Sequence, residues 1–359
     1  MSAHEILIFI MAGFALLGAL DRIFGNRFGL GKEFEDGIQA MGSLALAMVG
    51  IICLAPVLAN LLKPVVVPVY TFLGADPAMF AGTILACDMG GAALAQELTQ
   101  DAQAALLGGV LTGSMLGATI VFTIPVAMGI LHPADRPAMA KGILCGIITV
   151  PVGIFAGGLV AGFPVGMLLR NLIPVALIGL LIALGLWKLE RGMIRGFGIF
   201  GKLIIGVITV GLGTAIVEGL TGFAIIPGMV PIEESFLTVG QIAIVLAGAF
   251  PLVYVLTRLL KKPLMKLGSK LGINDIAAAG LIASLANSIA TFGMVKDMDR
   301  RGKVVNIAFA VSAAFVFGDH LGFTAGFAPA MLPAMIVGKL AGGVSAIVVA
   351  LLLTRKERV

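Results

Sequence analysis

Two aspartates lie inside apolar stretches of this sequence, where an ionised group needs a partner. Asp88 comes after an apolar run and just before Gly90 and Gly91, and Asp319 lies next to His320 inside a second apolar stretch. An ionised carboxylate at the centre of a lipid bilayer costs about 2.5 to 3.5 kcal/mol on insertion scales, so it needs a partner, water or a function. Asp88 is therefore either a cap for a broken helix end or the counter-ion of a cationic solute.

The pair Asp319 and His320 leaves three chemical roles open. Adjacent residues of a helix point about 100° apart, so both side chains can line one pathway only if Gly318 and Gly322 unwind the helix there. Asp319 could instead hold His320 or Lys339 in place. A carboxylate beside an imidazole could also relay protons, because histidine titrates near neutral pH.

Further polar groups occur late in the sequence, within Ala- and Gly-rich segments. Ser284 and Asn287 could hydrogen-bond a substrate hydroxyl, or equally a neighbouring helix. Lys339 follows Pro333 by six residues, about 9 Å of helical rise. Lys339 is therefore either an internal counter-ion for a buried carboxylate or a side chain that snorkels to the membrane interface.

The composition places these residues in a membrane protein. Of the 359 residues, 59% are hydrophobic and only 12% are charged, whereas an ordinary globular chain has about 25% charged residues. Uncharged apolar runs of about 20 residues, enough to cross a bilayer, recur along the whole chain. The N-terminal run has no basic start and no clear cleavage site, so it is interpreted as a retained first helix.

Other classes of protein are excluded by the same residues. The net charge of +5 comes from basic clusters beside apolar spans, which the positive-inside rule explains better than nucleic-acid binding does. The three histidines have no metal-ligand spacing, and the three cysteines lie in apolar segments that do not suit a disulfide framework. We expect neither a metal nor a cofactor.

The charge clusters divide the chain into an all-α arrangement of nine full transmembrane helices and two weaker segments. The weaker segments, 64–100 and 271–295, are rich in Gly and Ala, and the prolines at 64, 68 and 77 are expected to break helical hydrogen bonding in the first. The nine helices are predicted near 4–20, 38–62, 103–131, 141–162, 166–187, 199–217, 237–260, 303–328 and 331–353.

The sequence also repeats itself at a shift of about 198 residues. The block from Glu35 to Ile84 aligns without a gap with the block from Glu233 to Ile282, including Leu-Leu-Lys and Leu-Gly steps in both. Two transmembrane repeats follow, at 1–163 and 199–359, with a linking helix in 164–198.

Lysine and arginine in short loops predict the orientation. The most basic loops, Lys188–Lys202, Arg258–Lys270 and Lys296–Lys303, together with Arg355–Arg358, belong in the cytoplasm. The segments 64–100 and 271–295 are then re-entrant hairpins from opposite faces, the N-terminus is outside, and the repeats are inverted. The alternative of eleven full spans with parallel repeats violates the charge rule twice. In inverted-repeat transporters, interrupted helices meet at the midplane and form the substrate site.

Several blocks together resemble one family. They include Ala86-Cys87-Asp88-Met89-Gly90-Gly91, Met298-Asp299-Arg300-Arg301-Gly302-Lys303-Val304 and Gly318-Asp319-His320-Leu321-Gly322-Phe323. The chain resembles the EutH family, the ethanolamine permeases of bacterial ethanolamine-utilisation operons, from about Phe34 to the final helix. The resemblance implies uptake of ethanolamine, which is mostly protonated at neutral pH, across the bacterial cytoplasmic (inner) membrane.

The leading hypothesis is an alternating-access transporter or facilitator for ethanolammonium. Asp88 or Asp319 would balance the ammonium and Asn287 would bond the hydroxyl, while glycines at 90, 91, 318 and 322 would permit hairpin motion. The alternatives are a proton- or cation-coupled carrier of another small amine or amino acid, and an intramembrane aspartyl hydrolase using both aspartates. A homodimer is a common assembly of inverted-repeat carriers.

Overall fold

The computed structural model describes residues 2–355, apart from the side chains of seven residues between 190 and 269. The predicted basic C-terminus at Arg355–Arg358 therefore lies mostly outside the described residues. Within the described part, all regular secondary structure is helical. The α-helices are α1 (Ala3–Ile23), α2 (Leu30–Phe72), α3 (Ala78–Ile84), α4 (Gly91–Leu98), α5 (Ala102–Leu106), α6 (Ile124–Ile130), α7 (Arg136–Val160), α8 (Val165–Lys188), α9 (Glu190–Thr221), α10 (Ile232–Leu271), α11 (Asp275–Ala286), α12 (Ser288–Met294), α13 (Arg300–Ala313), α14 (Asp319–Phe327) and α15 (Leu332–Leu353).

Within residues 2–355, eight helical stretches are long and apolar enough to cross a membrane. They correspond to eight of the nine predicted helices, and the all-α polytopic class is confirmed. The eight stretches are Ala3–Ile23, Leu30–Phe72, Ala102–Ile130, Pro133–Val160, Val165–Lys188, Arg191–Thr221, Ile232–Leu259 and Pro329–Leu353.

The ninth predicted helix, 303–328, is not continuous. The chain leaves α13 at Ala313 and re-enters a helix only at Asp319, and Phe315 between them has a left-handed backbone with φ of 63°. The backbone N–H groups of Phe315 and Phe317 donate to the carbonyls of Ser284 and Leu285 at the end of α11. Because these bonds replace the helical ones, the break is stable inside the protein.

The first weaker segment is also shorter than predicted. The prediction that Pro64 and Pro68 break the helix is wrong, because α2 continues through both to Phe72. The interrupted part begins only at α3. Proline is tolerated inside transmembrane helices, where neighbouring groups and small local adjustments satisfy the freed carbonyls.

Two antiparallel helix pairs form the framework. In the first pair, Gly37 near the start of α2 lies against Leu246 of α10, while Cys53 further along α2 contacts Ser235 near the start of α10. In the second pair, Gly153 of α7 packs on Gly338 of α15. Glycines allow the backbones to approach closely at such crossings, as is usual in membrane bundles.

A buried segment of wide, π-type turns runs through the centre. It covers Leu107–Gly117 and Thr119–Thr123, between α5 and α6. Gly82 of α3 lies directly on the carbonyl of Gly108, so a side chain at position 82 would overlap this backbone. The short broken helices are therefore fixed against a rigid, fully buried support.

Several local features occur twice at the same spacing. The short helices α3 and α4 form one pair, α11 and α12 another, and each pair is preceded by a left-handed glycine and a capping side chain. The helix that follows each pair, α5 or α13, is capped by an aspartate. The matched residues are 198 positions apart. They are Gly74 and Gly272, Asp76 and Asn274, and Asp101 and Asp299.

Candidate functional site

Asp88 lies at the interruption between α3 and α4. The chain forms a short 3-10 turn at Cys87–Met89 and then takes a left-handed conformation at Gly90, with φ of 87°. Gly90 packs on Ile51 of α2, so a side chain there would both strain the backbone and collide. This turn directs Asp88 away from any continuous helix.

Asp319 and His320 form the first turn of α14, immediately after the unwound segment 314–318. From the sequence, both side chains could line one pathway only if the helix unwinds beside them. The chain is unwound at 314–318, and both side chains line the same cavity. The residue with the left-handed conformation is Phe315 rather than a glycine. Its ring packs between Phe122 and His320, with ring centroids 5.4 and 5.3 Å apart.

These elements enclose a cavity of about 180 Å³. A water molecule's share of liquid volume is about 30 Å³, so the cavity has room for a solute of a few heavy atoms. Carboxylate, imidazole and aromatic groups converge on it from four elements. The lining residues are Ser43, Leu44, Ala47, Ala86, Asp88, Met89, Ala118, Phe122, Phe315, Asp319 and His320.

The two carboxylates in the cavity are only weakly engaged by the protein. His320 Nε2 lies 3.7 Å from Asp88 Oδ1, and the two side chains are 4% and 16% exposed. Among the described residues, Asp319 has neither a hydrogen bond nor an ion pair through its carboxylate. Both groups therefore have acceptor capacity left for a cation with N–H donors.

One group of possible metal ligands appears at the same place. Donor atoms of Cys87, Asp88 and His320 lie within 4.8 Å of one another, and no other such group occurs among the described residues. Thiolate, carboxylate and imidazole are ligand types that suit a transition metal. The sequence did not indicate this group, because His320 lies more than 200 residues after Cys87 and Asp88 in the chain.

The role of Lys339 as an internal counter-ion stays a prediction. The side chain is 1% exposed, and its ammonium donates to the backbone carbonyl of Ser114 in the wide-turn segment. Within the described chain, no carboxylate lies within ion-pair distance of it.

Asn287 and Ser284 do not reach the cavity with Asp88. The Asn287 side chain caps α12 by accepting from Ile289 N, and Ser284 bonds Thr291. Asn287 instead lines a second cavity, of about 270 Å³, which also contains Asp319. The sequence correctly predicted polar groups at this interruption but not that they face a separate space.

The remaining glycines predicted to give flexibility have packing roles. Gly91 begins α4 against the carbonyl of Ala86, Gly318 lies on the carbonyl of Ala286, and Gly322 lies inside α14 against Leu246. Only Gly318 belongs to the unwound segment. A side chain at any of these three positions would therefore collide with a neighbour, which is backbone at Gly91 and Gly318 and the Leu246 side chain at Gly322.

The bundle of apolar helices around a small, carboxylate-lined cavity is of the membrane transporter class. The sequence profile described as ethanolamine utilisation protein, EutH, matches residues 3–353. The chain belongs to the EutH family, as its motifs predicted.

Curated relatives agree with this assignment. The chain is 60% identical over 356 residues to the "Probable ethanolamine permease EutH" of Listeria monocytogenes, covering 99% of this chain and 95% of that protein. Proteins of the same name from Escherichia coli and Salmonella typhimurium are 51% and 50% identical over 395 residues, covering 99% of this chain and 97% of theirs. No solved structure matches the chain significantly. The chain is therefore a multi-pass membrane permease and not an enzyme, which removes the hydrolase alternative.

Proposed function

We propose that this chain carries ethanolamine, as ethanolammonium, across the bacterial inner membrane. The main support for the proposal is the small cavity in which the carboxylates of Asp88 and Asp319 can still accept hydrogen bonds. A carboxylate beside aromatic rings suits an ammonium group, since both the charge and the ring faces attract it. The names of the relatives point to the same solute.

The orientation of the chain in the membrane is inferred from inverted repeats. What supports the inversion is that the matched helices α2 and α10 run antiparallel, as do α7 and α15. Parallel repeats would make matched helices run in the same direction. The capping pairs 198 residues apart support the duplication itself. On this basis the two interruptions open toward opposite faces, with the N-terminus outside and the C-terminus in the cytoplasm.

Substitution of the aspartates tests the solute site. A unit charge at 4 Å from an ammonium contributes about 4 kcal/mol at an effective dielectric of 20, an upper limit near three orders of magnitude in affinity. Asp88→Asn and Asp319→Asn are each expected to weaken ethanolamine binding to purified protein by at least about 10-fold. The control is Glu234→Gln at an exposed helix start. Unchanged affinity in both aspartate variants would rule out the ion-pair site.

Sided labelling tests the topology. Ala102 and Arg300 are matched, exposed first residues of α5 and α13, 198 positions apart. Single cysteines placed there are expected to react with an impermeant maleimide from opposite sides of the membrane. The three native cysteines are buried and give little background. Labelling of both positions from one side would exclude inversion.

A further inference from the structure

The second cavity lies between the start of α2, the middle of α10 and the interruption between α11 and α12. Its volume is about 270 Å³. It has one residue in common with the first cavity, Asp319, which lines both. The residues on which the following argument depends are Glu33, Phe250, Thr257, Asn287, Phe317 and Asp319.

The chemistry of this second cavity suits the same kind of solute. Glu33 and Asp319 provide two carboxylates, and among the described residues neither carboxylate has an ion pair or a hydrogen bond. Phe250 and Phe317 contribute aromatic rings, which attract cations through their faces. Thr257 and Asn287 add a hydroxyl and an amide that can bond a neutral hydroxyl.

The two cavities occupy different depths. Glu33 and Ser43, one from each cavity, are ten residues apart on α2, which is about 15 Å of helical rise. The second cavity thus lies toward the end of α2 that carries Arg27 and Lys32. In the proposed orientation that end is cytoplasmic.

The unwound segment 314–318 separates the two cavities. Phe315 lines the first, whereas Phe317 and Gly318 line the second. Phe315 and Phe317 are also hydrogen-bonded to α11, at 3.1 and 2.8 Å. A displacement of α11 and α12 would therefore also move segment 314–318, which separates the two cavities.

We infer that the second cavity is a distinct, cytoplasm-facing binding site for a small primary ammonium, with Glu33 as its own carboxylate and Asp319 shared with the first site. The inference rests on the proposed function. The solute would pass from Asp88 to Asp319 and then to Glu33 as segment 314–318 moves. Ammonium groups would thus meet a carboxylate at each stage of the path.

Binding stoichiometry of radiolabelled ethanolamine to the purified protein tests this inference. Wild type is expected to bind two molecules at saturation, and Glu33→Gln one. Glu35→Gln is the matched control, because Glu35 lies two residues away, pairs with Arg22 and lines neither cavity. This control is expected to bind two. Thermal unfolding of each variant checks that it is folded.

The outcomes separate this inference from the proposed function. If wild type and Glu33→Gln both bind one molecule with the same affinity, the second site is refuted while ethanolamine transport stands. If wild type binds none, both are overturned. Loss of one equivalent in Glu35→Gln as well would also refute the assignment to Glu33.

Discussion

The crossing of α2 and α9 gives a stability prediction with a control on the same helix. At Gly50 an added methyl group would overlap the carbonyl of Ile208 and lie 2.5 Å from the backbone nitrogen of Leu212. Ordinary contact begins at 3.4 Å, so the helices must separate by more than 1 Å to relieve the overlap with the Ile208 carbonyl. Overpacking of this kind costs about 1 to 3 kcal/mol. At Gly42, eight residues earlier, a methyl group meets nothing within 4 Å.

We therefore expect Gly50→Ala and Gly42→Ala to have opposite effects on unfolding. Gly42→Ala is expected to raise the free energy of unfolding by about 0.5 to 1 kcal/mol, since alanine favours the helix. Because alanine favours the helix equally at both positions, the two variants should differ by the overpacking cost, about 1 to 3 kcal/mol, in thermal or denaturant unfolding of the purified protein. Ethanolamine uptake should fall only in Gly50→Ala, because α2 also forms a wall of the first cavity. Equal stability of the two variants would refute the close crossing.

Two further predictions concern single contacts. Lys303→Met leaves the buried Asp135 carboxylate without the ammonium that lies 2.6 Å from it. The variant is expected to lower the free energy of unfolding by an amount toward the lower end of about 3 to 5 kcal/mol. Adding Asp135→Asn should restore most of this loss in unfolding assays. Gly90→Ala forces a left-handed alanine and meets Ile51 at 2.5 Å, so it should lower both melting temperature and ethanolamine uptake. Wild-type stability in Lys303→Met, or wild-type uptake in Gly90→Ala, would contradict the respective argument.

The sequence was informative where the physical signal is local. Long apolar runs predicted eight of the helices, because crossing a bilayer requires an uninterrupted stretch of apolar residues. The isolated carboxylates Asp88 and Asp319 were found for a similar reason, since charge is rare in such stretches. Gly90 was predicted to permit motion, whereas the structure shows it in a left-handed turn, a conformation that favours glycine.

What the sequence did not predict depends on tertiary contacts. Phe315 adopts a left-handed conformation that no propensity favours for an aromatic residue, and hydrogen bonding of its segment to α11 stabilises it. Pro64 alone does not indicate that α2 continues through it, because neighbouring groups are what make a proline tolerable inside a transmembrane helix. The carbonyl of Ser114 could not be predicted as the partner of Lys339, because the two residues are 225 positions apart in the chain.

If the chain is duplicated as proposed, the two cavities differ at matched positions. Asp88 and Met89 of the first cavity correspond, 198 residues later, to Ala286 and Asn287, which both line the second cavity. A cavity thus lies at each interruption. The first interruption supplies a carboxylate to its cavity, and the second supplies an amide instead. The second half compensates through Asp319, whose counterpart in the first half is the apolar Val121. In the proposed path, the shared Asp319 keeps a carboxylate beside the cation as it passes from one cavity to the other.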